Sequence, residues 1–138
     1  MKADELMIGD WVGRVFDDKR IDYRQVDWIR TGEIGMRYQK VWAIGCIEPI
    51  QLTPEILEKN GFEMFKYDGW VHYYRIFGNS AIPFVLHSMI GGEMLSQEVG
   101  IFSTSTDTNC GIEVNYVHEL QHALHLCRLN KLAENFKV

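Results

Sequence analysis

"LTPEILEKNGF", residues 52–62, sits between two stretches rich in β-formers and decides how the chain is read. The Thr53 hydroxyl can cap a helix. Pro54 suits the first helical position, where its missing N–H needs no partner. Glu55 falls where the helix dipole favours negative charge, and Asn60-Gly61 supplies a left-handed stop. A helix of about two turns is too short to stand alone, so Ile56, Leu57 and Phe62 must lean on a sheet.

The stretches on either side predict that sheet. On the N-terminal side, "DWVGRVF" (10–16), "IDYRQVDWI" (21–29), "EIGMRY" (33–38) and "KVWAIGCI" (40–47) read as short strands. Asp17-Asp18 provides turn chemistry, and Gly35 and Gly45 are candidate bulges. On the C-terminal side, "FEMFKY" (62–67), Asp68-Gly69 and "WVHYYRIF" (70–77) form a hairpin pattern. "PFVLHSM" (83–89) and "CGIEV" (110–114) are further strands, and "STSTDTN" (103–109) is a polar turn or loop. A longer helix is expected from Asn115 to about Arg128, and "KLAENF" adds a helical turn. The fold class is α+β: a curved, mostly antiparallel sheet or small barrel with a short middle helix and a longer C-terminal one. No repeat or linker divides the chain. One domain is expected over 1–138, β-rich to about residue 50, helical over 53–60, β-rich over 62–114 and helical over 115–128.

Composition bounds the function. The chain has 138 residues, 46% of them hydrophobic and 24% charged, with a net charge of −5. That is the profile of a soluble globular protein, and the acidic balance disfavours non-specific nucleic-acid binding. Residues 1–50 carry eight basic side chains among nine acidic ones, a mixed surface rather than a basic groove. Cys46, Cys110 and Cys127 form neither a C-x-x-C nor an even set, so reduced thiols in a cytoplasm are expected. No signal-like N-terminus or membrane-length apolar window is present. There is no G-x-S-x-G elbow and no phosphate-cradling glycine loop.

The stretch with the most chemistry is "YVHELQHALH", residues 116–125. His118, Glu119 and His122 spell H-E-x-x-H, in which two histidines one turn apart can ligate zinc while the glutamate polarises water. A catalytic zinc needs a third protein ligand. His125 lies seven residues from His118, about 10 Å along the axis, and so cannot readily share the ion. His72, His87, Glu113 and Glu134 remain, in no recognisable spacing. Sorted by face, Tyr116, Val117, Leu120, Ala123, Leu124 and Cys127 make the core stripe. His118, Gln121, His122 and His125 make an outer face, with Glu119 at the border. A second candidate surface is the aromatic strand carrying Trp70, Tyr74 and Arg75, where a ring could stack beside a phosphate or carboxylate contact.

Three elements carry a resemblance: "ELMIGDWV", "IEPIQLTPEILEKNGFE" and "YVHELQHAL". In that order they resemble a family of small proteins of gut Bacteroidales and their phages. The family patterns are L-x-I-G-N-W-V, P-I-P-L-T-x-E-I-L-x-K-x-G-F and Y-V-H-Q-L-Q-N. The family has no established activity. Tyr116, Val117, His118, Leu120 and Gln121 match its terminal pattern, whereas Glu119 and His122, which complete the zinc motif, depart from it. The resemblance implies a non-enzymatic accessory protein of a phage or mobile element that binds a host protein or small ligand in the host cytoplasm. Interference with host defence, including sequestration of a nucleotide signal, is an expectation of the same kind. No cofactor is expected on this reading, and a homo-oligomer is compatible with it. The alternative is a zinc-dependent hydrolase with His118 and His122 as ligands and Glu119 as general base.

Overall fold

A computed structural model describes residues 1–38, 40–67, 70–75, 84–88, 97–101 and 111–138. The chain is α+β, and its contacts gather into two compact units. The first comprises Met1–Gln51, Tyr116–Phe136 and Val138, and the second Leu52–Asn115 with Lys137.

In the first unit, strands β1 (Trp11–Val15), β2 (Ile21–Arg30), β3 (Glu33–Met36) and β4 (Lys40–Ala43) form an antiparallel meander in sequence order. Among the described residues no barrel closes, because each strand pairs with its neighbours in sequence and the ends stay apart. The β1–β2 turn is fixed by the Phe16 and Lys19 amides, and Lys19 adopts φ +62°. The irregularity expected at Gly35 lies opposite it: the register skips between Val26 and Trp28. Gly35 is needed for another reason, since a Cβ there would stand 2.0 Å from the Trp28 indole. Nor is Gly45 a strand bulge. After Ala43 the chain turns through a 3-10 helix, Ile44–Cys46, so the strand ends earlier than "KVWAIGCI" suggested.

The meander buries Val12, Val26, Ile34, Met36 and Trp42 with Leu6 and Ile47. Helix α2 (Val117–Leu126) adds Val117, Leu120, Ala123 and Leu124, and α3 (Asn130–Glu134) with the following turn adds Ala133 and Phe136. Burying those side chains stabilises the unit by about 1.5–3 kcal/mol for each large one.

The second unit begins with α1 (Pro54–Lys59) and continues through β5 (Glu63–Tyr67), β6 (Trp70–Arg75), β7 (Phe84–Ser88), β8 (Gln97–Ile101) and β9 (Gly111–Glu113). These strands form a second antiparallel sheet in sequence order. The helix ends are built as the sequence predicts: Thr53 accepts the Ile56 N–H at 3.4 Å, and Gly61 has φ +77°. Asn60 also donates to the Ile56 and Lys137 carbonyls and accepts the Lys137 N–H at 2.9 Å. Leu57, Leu52, Phe62, Val71 and Tyr73 are buried. The Asp68-Gly69 turn and the 103–109 segment lie outside the described residues. Among the described residues no helix is long and apolar enough to cross a membrane.

Candidate functional site

Helix α2 starts at the Tyr116 N-cap, where the Glu119 carboxylate accepts the Tyr116 N–H at 3.0 Å. This contact holds the first turn, so the glutamate that a zinc protease would use on water serves as a capping group here. The Val117 N–H is taken by the Ile50 carbonyl at 2.9 Å.

The expected outer histidine face is outer only in part: His122 and His125 are partly exposed, whereas His118 and Gln121 are buried. Gln121 is 1% exposed and His118 5%. For Gln121 the reason is helical geometry: four residues after Val117, it stands directly over that buried side chain, whatever its polarity. Its amide is fully used. Oε1 accepts the Trp11 N–H at 2.9 Å, while Nε2 donates to the Gly9 and Ala133 carbonyls at 3.1 and 2.9 Å. Gln121 thus ties α2 to the start of β1 and to α3.

His122 is half-buried, and its Nε2 lies 2.8 and 3.1 Å from the two carboxylate oxygens of Asp10. Asp10 is itself 2% exposed, with Oδ2 also accepting the Met7 N–H at 2.7 Å. The sequence offers no local signal for this pair, because its members are 112 residues apart. His125 lies at the helix end, with Nδ1 at 3.1 Å from Asn130 Oδ1, and Leu126 beside it is 75% exposed. Cys127, expected on the core stripe, is only half-buried, and burial pushes its thiol upward from the usual range.

His118 differs from its neighbours. Its ring stacks on Tyr116 at 5.9 Å between centroids and 14° between planes, and meets the His122 ring edge-on at 5.8 Å. Nδ1 is buried and has no hydrogen-bond partner among the described residues. Burial pushes the His118 pKa below the ordinary histidine value, outweighing the opposite pull of Asp10, Glu119 and Glu5. The ring is therefore neutral near pH 7. His118, His122, Tyr116 and Glu119 line a cleft of about 560 Å³ together with Met1, Glu5 and Pro49. That volume is in the range of small-molecule sites.

The zinc reading meets a shortage of ligands. Among the described residues no three His, Cys, Asp or Glu side chains group so as to hold a metal. The side chains of His72, His87 and Glu113 lie outside the described residues.

In the second unit, Tyr74 donates its hydroxyl proton to Glu63 at 2.8 Å and packs edge-on against Phe65. Arg75 donates to the carbonyl of Asn60, the C-cap of α1, where a cation complements the helix dipole. Both candidate ligand contacts on this strand are thus engaged in the fold. The Trp70 side chain lies outside the described residues.

The chain matches no known protein family, and no curated protein or solved structure is significantly similar to it.

Proposed function

We propose that this chain is a non-enzymatic binding protein, of the phage- or mobile-element accessory type, that holds its ligand in the cleft at the N-terminal turn of α2. One observation carries the reading: His118 is 5% exposed, lines the cleft, and leaves Nδ1 without a hydrogen-bond partner among the described residues. A buried polar atom left unpaired costs about 1–3 kcal/mol, and native structures seldom keep one without a use. A bound ligand that hydrogen-bonds to the imidazole removes that cost. The ligand is a small molecule or a side chain offered by a host protein in the cytoplasm. Interference with host defence is the biological role that the family resemblance brings to this reading.

The test is a fragment screen by NMR on the full chain, recording the imidazole nitrogens of the five histidines. Fragments that bind should cluster on His118, His122 and Tyr116. Hits scattered over the surface, with His118 unmoved, would sink the proposal.

A second reading, a zinc-dependent hydrolase, is favoured by one observation, the adjoining His118 and His122 rings in a common cleft. The engagement of His122 with Asp10 and of Glu119 with Tyr116 weighs against it. Elemental analysis of untagged protein purified without chelator decides. Stoichiometric zinc that disappears in His122→Ala would favour the hydrolase, and its absence would remove it.

A further inference from the structure

We infer that the α2 cleft selects a small organic cation bearing N–H donors, an ammonium or a guanidinium. This rests on the binding reading above and adds the class of ligand.

The first support is the charge of the walls. Glu5 and Glu119 line the cleft, and no Lys or Arg side chain does among the described residues. Asp10 stands behind His122, buried, and neither Asp10 nor Glu5 has a Lys or Arg partner among the described residues. The groups that act electrostatically on His118 are Asp10, Glu119 and Glu5, which favour positive charge there, and His122, which opposes it. Met1 also lines the cleft.

The second support is His118. Its neighbours invite a proton, yet burial keeps the ring neutral. In its Nε2–H tautomer a neutral imidazole offers a lone pair on Nδ1, and no described residue donates to that atom. A ligand that arrives with its own N–H groups and positive charge supplies what the ring lacks and uses the field the carboxylates create. The Tyr116 ring in the same wall adds an aromatic surface of the kind that attracts organic cations.

Two features oppose this. The N-terminus of α2 carries the positive end of a helix dipole, equivalent to about half an elementary charge. The Met1 ammonium in the same wall adds a unit positive charge, and the two wall carboxylates with Asp10 behind His122 outweigh both; one of the wall carboxylates, Glu119, already binds the Tyr116 N–H. The Val117 N–H is also occupied. The sign of the cleft therefore remains negative, which disfavours phosphates and hence a nucleotide.

The experiment titrates the full chain at pH 7.5 with agmatine, a capped Gly-Arg-Gly peptide, a neutral urea analogue of agmatine, and AMP. The readout is the ring ¹⁵N shift of His118. Agmatine or the peptide should shift it saturably, with affinity falling roughly fivefold in Glu5→Gln and in Glu119→Gln. Glutamine at 119 retains an oxygen for the Tyr116 N–H, so this variant keeps its cap, and the amide spectrum verifies the fold of both. Tighter binding of the peptide would assign the cation to a partner protein's side chain, and tighter binding of agmatine to a free amine. Either result supports the cation class. AMP or the urea analogue binding at His118 in preference to both cations would overturn the class and keep the cleft as a binding site. If no probe of any class moves His118, the binding reading itself fails.

Discussion

The N-terminal turn of α2, around His118, and the next turn, around Gln121, are almost equally buried and chemically opposite. Gln121 spends both amide atoms on three backbone groups. His118, next to the capping Glu119, has a buried nitrogen with no hydrogen-bond partner among the described residues. Burial alone therefore does not separate a structural polar residue from a ligand-ready one; hydrogen-bond saturation does.

The comparison can be broken by mutation. The largest effect is expected at Gln121→Leu, which orphans the half-buried Trp11 N–H and removes two further bonds. The Gly9 carbonyl keeps its bond from Gln25. We expect a loss of about 3 kcal/mol in urea denaturation. A loss below about 1 kcal/mol would mean that Gln121 is not the tie described. Next comes Asp10→Ala, which leaves the Met7 N–H and His122 Nε2 without an acceptor. A destabilisation of about 1–2 kcal/mol is expected, because the half-buried His122 ring and the Met7 N–H lose their acceptor together. An unchanged denaturation midpoint would show that the pair contributes nothing to the fold.

The smallest effect should be His118→Phe. It removes the unpaired buried nitrogen but inserts a larger six-membered ring into a packed site, so the two effects oppose and the net change at pH 7.5 should be less than about 1 kcal/mol in either direction. The pH profile sharpens this. The folded-state pKa of His118 lies below 6.5, so the unfolded chain binds the proton more readily in the window between the two. Stability then rises with pH through that window and falls as pH drops below 6.5. Wild type should lose stability relative to His118→Phe on acidification from pH 7.5 to pH 5. Parallel profiles would place the His118 proton elsewhere.

How much of this was legible depended on how local the cause was. The ends of α1 follow from Thr53, Pro54 and Asn60-Gly61, each acting within a turn of its own position. The strands of the first unit follow from β-rich runs with polar turns, although the last one stops at Ala43. On α2 polarity does not track exposure, since Gln121 and His118 are polar and buried. Gln121 and His118 lie within reach of Gly9, Trp11, Ala133 and Tyr116, and polar groups with such partners can be buried. Asp10 was not legible as a site residue at all. An aspartate before a strand looks like a turn, and only the folded chain brings it to His122.

The sequence by itself determined the α+β class, the caps of α1 and the amphipathic pattern of α2, because these depend on backbone preferences and on periodicities of a few residues. It also carried the letters of a zinc motif. Tertiary structure decided what those letters do: Glu119 caps its helix, His122 meets Asp10, and His118 is buried with no hydrogen bond to Nδ1 among the described residues. The physical reason is that a side chain's chemistry is set by what desolvates it and what it can hydrogen-bond, and both come from residues more than a hundred positions away as readily as from its neighbours.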